Sequence, residues 1–378
     1  MPQKIQSIIK DLEVNKKVIE LIVLLKNHES NFVRERVIRA LGRIKDPHTI
    51  DPLINVFEDS EVISHAAVWA LYKIGTPTVE PLIAALNESN KKGKYAAETL
   101  GKIKDPRAIK PLIEAFNKSN IVSKAAIWAL IKIGESAVGP LIEALYEFEN
   151  KIRKAAETLG KIGDSRAIEP LIQVFKYNLH SRVLRETIAR ALERLAWNPP
   201  KNELGAHYYV ALGEWDKLAE IGALSINPII DSLEHLDNFN ESPATESLGS
   251  IKDSKAVNHL ITFLYHKSHF VRANVARALG KIGDFRAIKP LITLLDDEYS
   301  RQDIIYGNKW DEKSEMINYS VRNAAVAALR KIAGGAYTSK YFTKEYTQRY
   351  WDEEKEFWNQ WYENKKEIRK KEEDIYNI

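Results

Sequence analysis

Apolar residues in this chain follow two successive helical patterns that together occupy about 30 positions. In residues 81–110, the first apolar helical face is broken by polar residues, and a second face follows through Ala97 and Leu100. Asp105 and Pro106 then close the unit, because Asp is a strong N-cap and Pro is favoured at the first helical position. The pattern predicts an antiparallel helix pair, whose members we call helix A and helix B.

The unit recurs along the chain with a nearly constant period. The phrase Pro-Leu-Ile, or a close relative, begins at Pro52, Pro81, Pro111, Pro140, Pro170, Pro228, His259 and Pro290. The first five prolines are 29 or 30 residues apart, and the following gap of 58 is twice 29. Such a period predicts about ten units, each burying its apolar face against its neighbours. A proline inside helix A should kink that helix.

The phrase Leu279–Ile292 resembles the HEAT-like repeat of the phycobilisome (PBS) lyase type, as do Leu100–Ile113 and Leu159–Ile172. The resemblance covers residues 19–335 and implies an all-α, right-handed α-solenoid of about ten HEAT-like helix pairs, with the B helices lining its concave surface. Residues 1–18 are then expected to form an N-terminal cap helix. Most members of this family resemble binding scaffolds, and a few are bilin lyases or metal-dependent hydroxylases.

A leucine marks the predicted core of every helix B, from Leu41 to Leu329. The next position is often Gly and the preceding position is small, so neighbouring B helices should approach closely. The position three before the Gly site points away from this core. It is occupied by Arg39, Trp69, Glu98, Trp128, Glu157, Arg190, Asp216, Glu246, Arg277 and Ala327.

Two tryptophans make this stripe informative, since a large apolar side chain opposite the core is unusual unless something covers it. Trp69 and Trp128 are 59 residues apart, as are Glu98 and Glu157, so Trp-type and Glu-type units alternate. One interpretation is a groove for a peptide or helix with aromatic anchors. The alternative is packing between repeats, with Trp69 folded over Tyr95 or a similar neighbour.

A basic ridge follows the Gly site. It comprises Arg43, Lys73, Lys102, Lys132, Lys161, Arg194, Lys281 and Lys331. Cations favour helix C-termini, where they meet the helix macrodipole, and this explanation applies to every helix B. The other interpretation is a binding site for a sugar-phosphate backbone, whose affinity would fall steeply with salt.

Three segments depart from the repeat. Residues 196–227 lose the pattern, and Gly205 and Gly213 should interrupt any long helix. This bend is a pocket candidate, formed by His207, Tyr208, Tyr209, Trp215 and Asp216. The alternative is a decayed repeat that only kinks the solenoid, since solenoids tolerate local irregularity. Residues 297–319 form an insertion. The charged tail, residues 336–378, is predicted to form a helix whose apolar stripe contains Tyr350, Phe357, Trp361, Ile368 and Ile375 and is broadened by Trp351, Trp358 and Tyr362. We expect its first half to dock as a C-terminal cap, and the alternative is a contact with another copy of the chain or with a partner.

Composition narrows the chemistry. The 378 residues contain no cysteine, and 56 basic against 52 acidic residues are too balanced to indicate a nucleic-acid binder alone. No apolar run is expected to reach the roughly 18–20 residues that span a membrane, and the N-terminus has no signal-peptide pattern, so a cytoplasmic location is expected. The hydroxylases of this family use repeated His-Glu pairs as iron ligands, and here only His28-Glu29 occurs.

The sequence thus predicts a non-catalytic scaffold that binds a protein or peptide on its concave face, with no catalytic residue, metal or cofactor. Two alternatives remain open: a lyase- or oxidoreductase-type enzyme working at the bend, and a nucleic-acid backbone binder using the basic ridge. The oligomeric state stays undetermined at this point.

Overall fold

The computed structural model describes residues 2–233, 241–297, 321–334 and 348–376, and the secondary structure of these parts of the chain is helical, without strands. Backbone contacts divide the chain into two units, Met1–Asn198 and Pro199–Ile378. The boundary falls at the paired prolines of the irregular segment. The predicted insertion, and the tail up to residue 347, lie almost entirely outside the described residues.

The first unit opens with α1 (Pro2–Val14) and continues as six A/B helix pairs. The pairs are α2 (Val18–Asn27) with α3 (Asn31–Ile44), α4 (Ile50–Asn55) with α5 (Glu61–Ile74), α6 (Val79–Ala85) with α7 (Asn90–Ile103), α8 (Ile109–Glu114) with α9 (Asn120–Ile133), α10 (Val138–Ala144) with α11 (Glu149–Ile162), and α12 (Ile168–Tyr177) with α13 (Arg182–Arg194).

The second unit contains four further pairs and the tail helix. They are α14 (Glu203–Leu212) with α15 (Trp215–Ile221), α16 (Ile226–Leu233) with α17 (Glu241–Ile251), α18 (Val257–Phe263) with α19 (His269–Ile282), and α20 (Ile288–Thr293) with α21 (Val321–Ile332), followed by α22 (Gln348–Tyr376). The described residues therefore hold the ten helix pairs that the period predicts.

Helix A is built differently from the prediction of one kinked helix. Pro106–Ala108 forms a 3-10 turn and α8 follows it, so Pro111 lies in the first turn of the α-helix. At this place the proline lacks only an N–H that the first turn of an α-helix leaves without an intrahelical acceptor. The aspartate before the turn caps it as predicted, since Asp105 accepts the backbone N–H of Arg107 at 3.0 Å. The same cap recurs at Asp164, where hydrogen bonds from Arg166 lower the carboxyl pKa to about 2.

The core position of helix B is confirmed in all ten described A/B helix pairs. The leucines at this position are fully buried: Leu41, Leu71, Leu100, Leu130, Leu159, Leu192, Leu218, Leu248, Leu279 and Leu329. The close approach of neighbouring B helices is confirmed too. A methyl group added to Gly101 would lie 2.6 Å from the Cα of Ala129, and one on Gly42 would lie 2.7 Å from the Cα of Ala70.

One stretch corrects the expectation about membrane spans. Residues Asn120–Ala144 are long and apolar enough to cross a membrane when only length and composition are considered. In the structure they form two helices, α9 and α10, which Gly134 separates with a φ of +80°. Ala126, Ala129 and Leu130 of α9 are fully buried in the protein. The stretch is apolar because it is a core element of the repeat.

The tail helix α22 packs on α20 and on the 3-10 turn that follows it. Trp351 and Trp358 are buried there, and the ring nitrogen of Trp358 donates to Glu354 at 2.9 Å. Trp361 and Tyr362 of the predicted stripe pack against the same core. Phe357 and Ile368 remain 41% and 46% exposed, so the broad stripe is covered on the side of Trp351 and Trp358. The buried stripe runs through Trp351 and Trp358, which are seven residues apart.

Candidate partner-binding surface

The two tryptophans of the predicted stripe occupy equivalent places in the first unit. Trp69 on α5 packs over Gly42 of α3, and Trp128 on α9 packs over Gly101 of α7; each ring carbon Cζ3 lies 3.1 Å from the position that a Cβ of the glycine would take. Both side chains remain half-buried. Each tryptophan thus uses one part of its ring to seal a helix–helix contact and leaves the rest at the surface.

The prediction that Trp69 packs over Tyr95 is wrong. Tyr95 is buried elsewhere, against Phe57 at 5.5 Å and His65 at 5.3 Å between ring centroids. Helix offset explains the error: the side chain of one helix B reaches the preceding helix B, whereas Tyr95 lies on the following one. The general alternative, packing between repeats, is therefore correct in kind, and it accounts for only part of each ring.

Cations surround the exposed part of both rings. The guanidinium of Arg39 lies 5.5 Å and the ammonium of Lys73 lies 5.8 Å from the Trp69 ring centroid. Lys102 and Lys132 lie 5.8 Å and 5.5 Å from the Trp128 ring centroid. These distances are within the roughly 6 Å at which a cation is attracted to an aromatic face. Each tryptophan ring therefore lies beside two cations, which come from two different B helices.

Six of the eight residues of the basic ridge fall into two groups of three. The first group pairs with carboxylates: Arg43 with Glu13 at 2.8 Å, Lys161 with Glu157 at 2.7 Å, and Lys281 with Glu246 at 2.9 Å. The Arg43 guanidinium also holds the pKa of Glu13 below its usual value by donating a hydrogen bond.

The other group stands at the tryptophans. Within the described residues, no carboxylate forms an ion pair with Lys73, Lys102 or Lys132, and all three are exposed. Every ridge residue also lies in the last turn of its helix, as the macrodipole explanation requires. The helix macrodipole therefore explains why the cations lie in the last turns of their helices. Cation–π contacts with the tryptophans position three of them.

The remaining stripe positions are less distinctive. Glu98 is half-buried on α7, and Arg190 donates to Glu186 at 3.0 Å on α13. Glu246 and Arg277 lie in the second unit, where Arg277 donates to Asn274 at 2.8 Å. The structure thus divides the predicted stripe between the two units, and only the first unit carries its tryptophans.

Sequence reasoning missed two residues of the same surface. Val62 on α5 and Ile121 on α9 are 58% and 55% exposed. Each lies seven positions before its tryptophan, so it shares the tryptophan's helical face about two turns away. The sequence contained a signal for them. The equivalent positions on α7 and α11 are Lys91 and Asn150, so an apolar residue recurs at this position in every second repeat, as the tryptophan does.

We define the tryptophan face by seven residues of α5, α7 and α9. They are Val62, Trp69, Lys73, Lys102, Ile121, Trp128 and Lys132. Neighbouring packed helices are about 8–10 Å apart, so the two tryptophans are separated by roughly 20 Å. The face offers apolar, aromatic and cationic groups in a repeated order.

The bend residues behave differently from a pocket lining. His207 and Tyr208 are buried, 7% and 4% exposed, and they belong to the packing of α14. Tyr209 and Trp215 are half-buried, and Asp216 is exposed on α15. Buried side chains cannot contact a partner directly, so His207 and Tyr208 are poor candidates for binding.

Glycine also acts differently in this segment from the expectation. Gly205 does not interrupt a helix but lies within α14, where the carbonyl oxygen of Pro200 stands 2.0 Å from the position of an added Cβ. Asn202 caps the same helix by accepting the Gly205 N–H at 3.1 Å. Gly213, with a φ of +74°, ends the helix as expected. Gly205 is thus required by the close approach of the Pro200 carbonyl at the start of α14.

The described parts of the chain contain no cluster of metal ligands, since no three His, Asp or Glu side chains lie close enough together there to hold an ion. His28 of the single His-Glu pair follows α2, and its Nδ1 accepts the backbone N–H of Ser30 at 3.0 Å. This histidine therefore terminates a helix.

Comparison with known families decides the fold class. The profile described as HEAT repeats matches residues 18–98, 79–154 and 226–306, which together exceed half of the chain. The chain is a HEAT-repeat protein. The profile described as the PBS lyase HEAT-like repeat matches residues 153–177 of this HEAT-repeat protein as well. Its fold is an all-α HEAT solenoid, as the resemblance in the sequence implied.

Individual relatives are distant. An uncharacterized phycocyanin operon protein Z from Pseudanabaena tenuis is 28% identical over 191 residues, which are 47% of this HEAT-repeat protein and 95% of the relative. Human deoxyhypusine hydroxylase matches 78% of the chain and 99% of its own, with 16% identity and a TM-score of 0.27. The complex of CpcE and CpcF of phycocyanin lyase from Nostoc sp. matches 68% and 94%, with 20% identity and a TM-score of 0.26.

Proposed function

We propose that this HEAT-repeat protein is a non-catalytic scaffold that binds a protein or peptide partner through the tryptophan face of its first unit. The observation that supports this most strongly is the incomplete burial of Trp69 and Trp128. Packing on glycine uses part of each ring, and the remaining part stands beside exposed Lys73 and Lys132. Aromatic groups with a polar surround are the residues that contribute most to binding at interfaces.

The test compares partners captured from native lysate by three forms of the full chain. The first is the wild type, the second is Trp69→Ala/Trp128→Ala, and the third is Tyr146→Ala/Tyr177→Ala. The third is a matched control, because Tyr146 and Tyr177 are 62% and 79% exposed in the same unit and lie outside the tryptophan face. Circular dichroism establishes that each variant is folded before capture.

We expect a protein that mass spectrometry finds with the wild type and the tyrosine control and that the tryptophan variant loses. Removal of two interface aromatics should reduce affinity by at least about 2 kcal/mol, or roughly 30-fold. Equal capture by all three folded forms would assign the tryptophans to repeat packing alone and would end this proposal.

A second candidate, a bilin lyase-like enzyme, is favoured by one observation, the match of residues 153–177 to the PBS lyase HEAT-like repeat. It differs from a scaffold in what the purified chain should carry or accept. Incubation with a free bilin should produce no stable change in the visible spectrum if the scaffold proposal is right. A stoichiometric bilin adduct would favour the lyase-like function instead, and stoichiometric iron would favour an oxidoreductase.

A further inference from the structure

The charges on the tryptophan face suggest the chemistry of its partner. Trp69 and Trp128 each hold cations near their exposed ring surface, and Lys73, Lys102 and Lys132 form no ion pair with a carboxylate among the described residues. A lysine that rests against an aromatic ring has already lost part of its side-chain freedom. Binding of an anion to it therefore costs less entropy than binding to a freely rotating lysine.

The same contacts argue against an aromatic partner side chain as the main anchor. Cations from two chain positions already lie within 6 Å of each ring centroid. A partner ring would have to displace a cation in order to stack there. A carboxylate, in contrast, can approach the ammonium groups while they remain in place.

Apolar groups beside the cations favour a polypeptide over a nucleic-acid backbone. Val62 and Ile121 are more than half exposed and lie two helical turns from their tryptophans on the same helix faces. A phosphate backbone gains little from valine and isoleucine, and it would also bring continuous negative charge to half-buried Glu98 between the two tryptophan helices. A polypeptide can place acidic residues opposite the lysines and apolar residues opposite Val62 and Ile121.

We infer that the tryptophan face binds an acidic polypeptide segment that also carries apolar side chains. This inference rests on the proposed function and adds the chemical class of the partner. Its carboxylates pair with Lys73, Lys102 and Lys132, and its apolar residues cover Val62, Ile121 and the open edges of the two tryptophans. The order of these groups repeats after two A/B helix pairs, so a partner segment of roughly 20 Å would engage both tryptophans.

The experiment measures fluorescence anisotropy of labelled probes titrated with the full chain. One probe is a 20-residue peptide of glutamate, leucine and alanine in a helical amphipathic order, and the second has every glutamate replaced by glutamine. The third is a 20-nucleotide polyuridine RNA. The variants are Lys73→Gln/Lys102→Gln/Lys132→Gln and the control Lys110→Gln/Lys118→Gln/Lys176→Gln, which removes three exposed cations elsewhere in the first unit.

We expect the acidic peptide to bind, with affinity that decreases as salt rises. The glutamine peptide and the lysine variant of the tryptophan face should each bind about tenfold more weakly, whereas the control variant should change affinity by less than about twofold. Absent binding of the acidic peptide, equal binding of the neutral peptide, equal losses in both lysine variants, or RNA binding as tight as that of the acidic peptide would each overturn the inference.

The lysate comparison separates this inference from the proposed function. If the lysine variant of the tryptophan face retains a partner that Trp69→Ala/Trp128→Ala loses, the scaffold proposal stands and the acidic class of the partner is wrong. If neither variant loses a partner, the binding surface itself is wrong.

Discussion

The glycine that follows the buried leucine sets the distance between two B helices. Gly42 and Gly101 each face an alanine of the next B helix, with no room for a methyl group. The tryptophan beside that alanine then covers the glycine. A single small residue therefore brings the helices together and also creates the site on which Trp69 or Trp128 rests.

This predicts that Gly101→Ala destabilises the protein although alanine is the better helix former. The added Cβ would lie 2.6 Å from a backbone atom of α9, so the helices must separate, at a cost of about 1–3 kcal/mol. Urea denaturation followed by circular dichroism measures the change in unfolding free energy.

Gly139→Ala is the matched control for this substitution. Gly139 lies within α10, and an added Cβ would meet no atom within 4 Å. Alanine should therefore stabilise this helix by up to about 1 kcal/mol. A Gly101→Ala protein as stable as Gly139→Ala would show that the B helices are not held at the distance described.

At the scale of elements, α22 closes the second unit through a few large side chains. Trp351 and Trp358 enter the core, while Arg330 of α21 reaches Glu354 at 3.3 Å and Tyr362 stacks on Phe285 with 5.3 Å between ring centroids. The second half of the helix, from residue 363 to residue 370, is exposed. The docking of α22 should therefore depend on its first half.

We predict that Trp358→Ala releases this helix from the unit, because removal of a fully buried tryptophan costs about 3–5 kcal/mol. Hydrogen exchange followed by mass spectrometry should show faster exchange across residues 351–362. Phe357→Ala, at a 41% exposed neighbouring position, should leave exchange nearly unchanged. Similar exchange in both variants would mean that α22 is not anchored through Trp358.

Particular residues show how far the sequence could lead. The leucine at the centre of each helix B and the small residues beside it predicted the core and the close helix approach, because burial and helical period depend on local spacing. The broad apolar stripe predicted for α22 contained both Phe357 and Trp358, because adjacent apolar residues give two neighbouring faces of similar spacing. Only contact with α20 selects between them.

The candidate site was predicted in part for the same reason. The outward position of Trp69 and Trp128 follows from helical period alone. Their neighbours depend on the offset between helices, which the period does not specify, and so Tyr95 was proposed where Gly42 and two cations are found. The bend residues His207 and Tyr208 were proposed from their residue types, which do not reveal burial.

At the scale of the whole molecule, alternating repeats give one unit a surface that a single repeat could not form. The Trp-type helices α5 and α9 supply aromatic and apolar groups, and α7 between them supplies Lys102. Two copies of one contact pattern, roughly 20 Å apart, favour an extended segment over a small ligand. The function proposed for the chain depends on this repetition.

Site-specific photo-crosslinking tests that claim most directly. A benzophenone amino acid replaces Ile121 on the tryptophan face in one form of the full chain and Tyr146, an exposed residue outside it, in another. After irradiation in native lysate, we predict a covalent protein adduct at position 121 that disappears when Trp69 and Trp128 are also replaced by alanine. An adduct at position 146 of equal yield, or an adduct at 121 that persists without the tryptophans, would contradict the account.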